Sequence, residues 1–234
     1  MRITILSIIT FLLVGIGHAQ TVNQLDANGE RHGVWKKNYE GTNILRYEGE
    51  FFHGKEIGEF KFYKKYQNKA ILSATKLFNK DNQIAEVTFL ASNGKVISQG
   101  KMNGKKHIGQ WVYYHNNSSQ IMTLEHYNDN GLLDGESVVY YADGQIAEKR
   151  HYNKGLLEGE AKWYSENGTL IKSYIYVNNE LHGEAKFYDE TGKLILKGRY
   201  KRDKKDGVWT HYKDGKVSEE KDYTIRSKNP YKKK

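Results

Sequence analysis

The sequence predicts an all-β fold, an elongated single sheet of about eight stacked antiparallel hairpins. Three observations predict it. A glycine recurs about every 24 residues, apolar and polar side chains alternate between turns, and Asn-Gly and Asp-Gly pairs end the alternating segments. Self-similarity at a fixed period of this length is typical of repeat architectures. Each element of the fold therefore follows from its position in the repeat.

One glycine, here called the anchor glycine, marks each repeat. Neighbouring anchors lie 24 to 27 residues apart, which gives eight copies when a degenerate copy with Ala85 at the anchor position is included. A glycine that recurs at a fixed phase predicts a backbone geometry that a β-branched residue resists. The anchor glycines are Gly33, Gly58, Gly109, Gly135, Gly159, Gly183 and Gly207.

Each copy has the pattern of two strands joined by a tight turn. Because side chains alternate along a strand, Ala185 and Phe187 share one face, and the residues between and beside them share the other. A turn follows at 190–193 and a second strand at 194–200. The Asn-Gly and Asp-Gly pairs favour tight turns that need a positive φ. A lone hairpin is marginal in water, so the copies are expected to stack and to stabilise their nearest neighbours.

A tyrosine five residues after the anchor recurs in six copies, and this tyrosine row is the candidate binding site. One interpretation is that the rings stack on each other as a structural ladder. The other is that they also line a concave ligand-binding face, since tyrosine offers a large contact area at low entropic cost. Both interpretations stay open from the sequence. The row consists of Tyr63, Tyr114, Tyr140, Tyr164, Tyr188 and Tyr212.

The segment 47–60 resembles the MORN repeat, whose pattern is Tyr-x-Gly, an aromatic residue, Asn/His-Gly and Gly-x-Gly. Here Tyr47-x-Gly49 and His53-Gly54 match that pattern, and Phe60 replaces the last glycine. The later copies are similar to the bacterial MORN variant, with Gly-x-Trp/Ala-x-x-Tyr followed by a Gly-Lys-Leu turn. The resemblance covers about residues 26–223 and implies a curved antiparallel sheet. Many proteins of that variant are YwqK-like antitoxins, so it also implies a role in neutralising a toxin.

The first 19 residues differ from the rest and predict a secretory signal peptide. Arg2 supplies a positive start, residues 3–16 form an apolar run, and Gly17-His18-Ala19 forms a small-x-small cleavage site. The alternative is a membrane anchor, but the run is shorter than the ~20 apolar residues that a span needs. We therefore expect a signal peptide over 1–19, a repeat domain over 20–223 and a basic tail over 224–234.

The lack of cysteine means that packing alone must hold the exported protein together. We expect the protein to be released into the periplasm or the medium. The chain has no Cys, so it has neither disulfides nor the cysteine that a bacterial lipoprotein carries after its signal. We expect a monomer.

No catalytic motif is found in the sequence, so we expect that the protein is not an enzyme and binds no cofactor or metal. His32 and His182 each precede an anchor glycine, but they lie six copies apart and are interpreted as turn residues, since two ligands of one ion both lie about 2 Å from it. Glu219 and Glu220 are adjacent and face opposite sides of a strand, unlike the converging carboxyls of a glycosidase.

The chain is basic, with a formal net charge of +9. Lys201, Arg202, Lys204 and Lys205 cluster in one turn, and further cations lie in the tail. They are either a solvated turn and tail or a surface that attracts an acidic partner, anionic lipid or polysaccharide. Nucleic acid is not expected for an exported protein. We expect a non-catalytic scaffold that binds a protein partner, as an antitoxin or immunity protein does, the alternative being a cell-envelope protein that binds anionic lipid or glycan.

The order of charged, apolar and small residues predicts cleavage after Ala19. N-terminal sequencing of the exported form is expected to begin at Gln20. Recovery of the chain from the cytoplasm with Met1 intact would contradict export.

Overall fold

The computed structural model describes residues 21–224, and within this range the chain is all-β without a helix. The signal peptide predicted over 1–19 and the tail residues 225–234 lie outside the described residues. The strands are Gln24–Leu25 (β1), Arg31–Asn38 (β2), Leu45–Phe52 (β3), Lys55–Tyr66 (β4), Lys69–Phe78 (β5), Ile84–Leu90 (β6), Val96–Asn103 (β7), Lys106–Tyr114 (β8), Ile121–Tyr127 (β9), Gly135–Tyr140 (β10), Ile146–Asn153 (β11), Leu156–Leu157 (β12), Gly159–Tyr164 (β13), Leu170–Val177 (β14), Glu180–Tyr188 (β15), Leu194–Lys201 (β16), Lys204–Lys213 (β17) and Lys216–Asp222 (β18).

The strands form one open antiparallel sheet in which neighbours follow chain order. Every described strand pairs with the next along the chain, except that β11 pairs with both the short β12 and β13. The predicted all-β array of stacked hairpins is confirmed. Within residues 21–224 no helix is long and apolar enough to cross a membrane.

Two short strands add to the sixteen that eight hairpins provide. β1 pairs with the start of β2 through Gln24 and His32. β12 arises because pairing with β11 is interrupted: Tyr152 pairs with Leu157, but the next pair is Lys149 with Lys162. At the other end of the sheet β18 is exposed along its whole length. Its lysine and acidic side chains discourage another chain from pairing with this edge.

The hairpin turns differ between the two long edges of the sheet. At one edge lie the Asn-Gly turns at Gly94 and Gly168, where only the glycine has a positive φ, of 82° and 79°. At the other edge lie two-residue turns. Asn178 and Asn179 have φ of 51° and 70°, and both central residues are positive as in a type I′ turn. The second kind was not recognised from the sequence, since it contains no glycine here.

The anchor glycines share a positive φ, and several of them lie at β-bulges. All seven have a positive φ, which confirms the backbone geometry predicted for them. In β8 the bulge is clear: Trp111 pairs with Gly100 and Ile108 pairs with Lys101, so two residues of β8 have no partner on β7. Such an insertion bends the strand and increases its twist. The same two-residue interruption recurs at Gly58, Gly183 and Gly207.

The degenerate copy with Ala85 lacks this bulge. There β5 and β6 pair without interruption, with Phe78 opposite Ala85. The two-residue turn is replaced by a five-residue loop over 79–83, which Asn79 organises. Its Oδ1 atom accepts hydrogen bonds from the backbone N–H groups of Asp81 and Asn82 at 2.9 and 2.8 Å. In this copy a longer loop thus joins β5 to β6, and the anchor position has no positive φ.

Most of the apolar core lies on one side of the sheet, here called the aromatic face, which carries the residues two and four positions after each anchor. Val138, three positions after Gly135, is buried on the other side. Trp111, Trp209 and Phe60 are 0%, 1% and 2% exposed, although the sheet has a single layer. Each of them lies over a glycine of the preceding strand. A Cβ atom built on Gly100 would lie 2.5 Å from the Trp111 ring, and one on Gly198 would overlap the Trp209 ring.

Where the residue after the bulge is small, the facing residue is large. Ala185 is 0% exposed, and its cross-strand partner is Tyr174 in place of the glycine. The Tyr174 ring then contacts Phe187 at a centroid distance of 5.6 Å and Tyr200 at 6.1 Å. Each repeat therefore provides one interior position, and either strand supplies the side chain that fills it.

This size matching predicts strong coupling between Gly198 and Trp209. Gly198→Ala is expected to lower the free energy of unfolding by about 1–3 kcal/mol through overpacking. Trp209→Ala is expected to lower it by about 3–5 kcal/mol by opening a cavity. In the double variant the added methyl enters that cavity, so the combined loss is expected to be smaller than the sum by more than about 1 kcal/mol. Urea unfolding followed by circular dichroism measures the cycle, and additive losses would contradict the shared position.

Candidate functional site on the charged face

The side of the sheet opposite the core, here called the charged face, carries the residues one, three and five positions after each anchor. All six members of the tyrosine row lie there, and each is half-buried. They are contributed by β4, β8, β10, β13, β15 and β17, the first strand of six hairpins. The row is interrupted where Asn38 and Leu90 take the equivalent position. The last five tyrosines lie in consecutive repeats.

The six rings do not stack on each other. Among the described residues, most ring contacts join side chains of the aromatic face, such as Phe51 with Phe60 and Trp163 with Tyr174, and none involves the tyrosine row. The interpretation of the row as a stacked ladder is therefore wrong. Neighbouring repeats place these tyrosines side by side with charged residues between them.

Two of the six hydroxyl groups are used within the sheet. The Tyr63 hydroxyl donates to Glu48 Oε1 at 2.7 Å, and Gln99 Nε2 donates to the Tyr114 hydroxyl at 2.8 Å. Within residues 21–224 the other four hydroxyls, on Tyr140, Tyr164, Tyr188 and Tyr212, form no hydrogen bond. The four consecutive tyrosines are therefore free to bond a ligand.

The bond between Tyr63 and Glu48 changes the proton affinity of both groups. Burial and the bonded carboxylate raise the pKa of Tyr63 to about 12. The donated hydrogen bond lowers the pKa of Glu48, and Lys36 at 3.1 Å acts in the same direction. The neutral tyrosine and the charged glutamate are thus the stable forms over the physiological range of pH.

Paired charges flank the free tyrosines. Lys162 lies 2.8 Å from Glu160, and this hydrogen bond raises the pKa of Lys162. Glu184 is paired with Lys186 and, at 2.9 Å, with Lys197, and both bonds lower the pKa of Glu184. Both signs alternate along the face, so it is not a single electropositive surface.

Side chains of one repeat hold the backbone of the tyrosine in the next. The hydroxyls of Tyr39 and Tyr141 donate to the carbonyls of Tyr63 and Tyr164, both at 2.7 Å. His115 Nε2 lies 3.0 Å from the carbonyl oxygen of Tyr140 and donates to it. These bonds fix the tyrosines before any ligand arrives.

Open grooves lie on the charged face beside the anchor bulges. One of about 450 Å³ passes Gly183 and Gly198 and is also lined by Glu184, Arg199 and Tyr212. A second groove, of about 550 Å³, is lined by Gly100 and Gly109. A Cβ built on the anchor glycine Gly109 would meet no other atom within 4 Å, so the space beside this bulge is open.

The basic cluster over 201–205 is divided between the edge of the sheet and the aromatic face. Lys201, Arg202 and Lys204 are exposed around the two-residue turn. Lys205 is instead held on the aromatic face, with its Nζ atom 4.2 Å from the centroid of the Trp209 ring. Three exposed cations thus remain at this edge of the sheet.

The histidines that precede anchor glycines do not meet each other, since His32 lies on β2 and His182 on β15. The structure instead brings His32 to Asp26 and His53, a group that the sequence analysis missed. His53 lies in the next repeat, at the turn before β4. Spacings within one repeat could not indicate this contact.

Comparison with known proteins identifies three of the repeats. Residues 133–154, 157–178 and 181–202 match the MORN repeat variant family. Each of these consecutive segments corresponds to one hairpin, namely β10 with β11, β13 with β14 and β15 with β16. Three consecutive hairpins in the C-terminal half of the array therefore match the MORN repeat variant. The comparison with curated proteins gives no match.

Among solved structures, the chain is similar to the crystal structure of a mutant of S. aureus TarM in complex with Fondaparinux, alpha-GlcNAc-glycerol and UDP. The two are 18% identical, with a TM-score of 0.20, over 53% of this chain. The chain spans 19% of the length of that protein. A TM-score this low bears on neither fold nor function.

The hydrogen bond between Tyr63 and Glu48 gives a titration that can be measured. In the variant Glu48→Gln the pKa of Tyr63 is expected to fall from about 12 toward the ordinary value of 10.0, and to stay above it because burial remains. NMR of protein labelled at the tyrosine Cζ carbon, with Tyr63→Phe to assign the signal, measures the shift.

The matched control is Glu50→Gln, which removes the same charge from an exposed position on β3 and leaves the Tyr63 bond intact. Because the folded-state pKa is raised, the stabilisation is present below pH 10 and is lost as the pH rises through about 12. An unchanged Tyr63 titration in Glu48→Gln would contradict the bond.

Proposed function

We propose that the protein is a non-catalytic, exported scaffold that binds a protein partner through the charged face of its four C-terminal repeats. The observation that carries the proposal is the set of four consecutive tyrosines whose rings make no contact with one another and whose hydroxyls form no bond within the described residues. Most of the buried core lies on the other face.

The chemistry of this face suits a protein surface. Tyrosine rings give apolar contact together with a polar tip, and they lose little entropy because the repeat already holds their backbone. The flanking pairs of Glu160 with Lys162 and Glu184 with Lys197 present both signs of charge. A partner with matching charges would be aligned along the array, which fixes orientation and suppresses wrong partners.

The resemblance to bacterial MORN variant proteins leads us to propose a toxin as the partner, with this chain acting as an antitoxin or immunity protein. Inhibition by steric cover needs no catalytic group. It requires an extended rigid surface, and a stacked sheet held by nearest-neighbour contacts provides one.

The second candidate is a cell-envelope protein that binds anionic lipid or glycan. The exposed Lys201, Arg202 and Lys204 favour it, because these three cations lie together at one edge and form no ion pair within residues 21–224. Electrostatic attraction of this kind weakens as salt rises, since the Debye length shortens to about 8 Å at physiological ionic strength.

Binding by the tyrosine row predicts partial loss from single changes and complete loss from their combination. Once affinity capture and mass spectrometry identify a partner, Tyr140→Ala, Tyr164→Ala and Tyr188→Ala are each expected to weaken binding by about 5- to 30-fold. The triple variant is expected to abolish binding, whereas a triple Tyr→Phe variant, which keeps the rings, loses less. Surface plasmon resonance measures the affinity, and circular dichroism verifies folding.

The matched control replaces Lys201, Arg202 and Lys204 by Gln, and it is expected to bind the partner as the wild type does. The reverse pattern, with the tyrosine variants unaffected and the Gln variant defective on anionic vesicles, would favour the cell-envelope candidate. Turnover of a substrate that a single substitution abolished would reject the non-catalytic proposal.

A further inference from the structure

A cluster of one carboxylate and two imidazoles lies at the N-terminal end of the array. Asp26, in the turn after β1, His32, on β2, and His53, in the turn before β4, each offer one ligand atom. These atoms lie within 4.8 Å of one another. It is the only group of three or more such residues found within residues 21–224.

The carboxylate is held in place by its own turn. Asp26 Oδ1 accepts hydrogen bonds from the backbone N–H groups of Asn28 and Glu30 at 2.8 and 3.0 Å. The second oxygen, Oδ2, lies 2.6 Å from Nδ1 of His53. The Asp26 side chain is only 9% exposed. One oxygen thus builds the turn and the other is directed into the cluster.

The imidazoles approach from two different repeats. His53 is exposed and has a φ of 45° beside Gly54, so the turn fixes the direction of its side chain. The rings of His32 and His53 lie 4.9 Å apart between centroids. Nδ1 of His32 is buried and has no hydrogen-bond partner, which is costly for a polar atom. A cation held against this ring would supply a partner that the described residues do not.

The nearest cationic side chains face away from the cluster. The Arg31 guanidinium lies 5.1 Å from the centre of the Trp35 ring on the aromatic face. Lys55 donates through Nζ to the carbonyl of Lys80. Glu30 adds a further carboxylate near the turn, with its Cδ atom 3.5 Å from the position of a Cβ on Gly54. The local balance of charge therefore favours a cation.

We propose that Asp26, His32 and His53 bind a divalent transition-metal ion of the Zn²⁺ type. Two imidazoles and one carboxylate form a borderline donor set that suits zinc and its neighbours, whereas magnesium and calcium prefer oxygen ligands alone. Ligands at about 2.0–2.2 Å from the ion lie roughly 3.3 Å from each other in a tetrahedral site. Small side-chain movements bring the three atoms to that spacing, and the fourth position is left for solvent or a partner group.

Isothermal titration calorimetry of tag-free protein with ZnCl₂ tests the site. One Zn²⁺ per chain is expected, with no comparable binding of MgCl₂. His53→Asn is expected to lower the affinity at least tenfold. Asn tolerates the positive φ at position 53, so the turn is retained. Asp26→Asn is expected to give a similar loss while it keeps the Oδ1 acceptor that organises the turn.

His211→Asn is the matched control, since this exposed histidine on β17 lies far along the sheet from the cluster. It is expected to keep the wild-type affinity within twofold. Co²⁺ in place of Zn²⁺ gives a second readout, with visible d–d absorption in the wild type that His53→Asn removes. Absence of saturable binding at one ion per chain, or equal affinity in the His53 and His211 variants, would overturn the proposal.

Discussion

A single-layer sheet has no second layer to cover its apolar side, and the rest of this structure depends on how that side is covered. The bulge at the anchor glycine provides this cover. Two residues of β8 without partners on β7, with a positive φ at Gly109, bring Trp111 over Gly100 of the preceding strand. The indole N–H then donates to the carbonyl of Lys101 at 2.9 Å. His107 stacks on the same ring at a centroid distance of 3.7 Å. Side chains of adjacent strands are thus sufficient to bury Trp111, which is 0% exposed.

The same arrangement makes each interior position a property of two neighbouring strands and not of one residue. Trp209 over Gly198 and Tyr174 opposite Ala185 are two ways to fill the equivalent interior position of a repeat. Further bonds between neighbours occur at the turns, where Leu181 N–H donates to Asp203 Oδ1 at 2.8 Å. Stability in such an array is close to a sum of repeat and nearest-neighbour contributions. A change at one interface is therefore felt mainly by the two repeats that share it.

The period, the alternation and the anchor glycines were sufficient to predict the hairpin array and the positive φ at the anchors. The features that were missed are contacts between repeats. Rings at equal phase suggested a stacked tyrosine ladder, yet successive tyrosines lie on alternate strands, so that β14, for example, lies between Tyr164 and Tyr188. The group of Asp26, His32 and His53 joins a turn to the next repeat, which no spacing within one copy reveals. Ala85 keeps the phase of an anchor, but the loop over 79–83 replaces its bulge.

The two faces of the sheet differ: the aromatic face holds most of the core, and the charged face carries the candidate binding site. Gly198 admits Trp209 on the aromatic face, and the same strand borders an open groove beside Tyr212 on the charged face. Terminal repeats lack one neighbour and need another source of stability. At the N-terminal end, a metal ion held by Asp26, His32 and His53 would join the first turn to the second repeat. Such a joint would stabilise the end of the array farthest from the free tyrosines, so that metal binding and partner binding are expected to be separable.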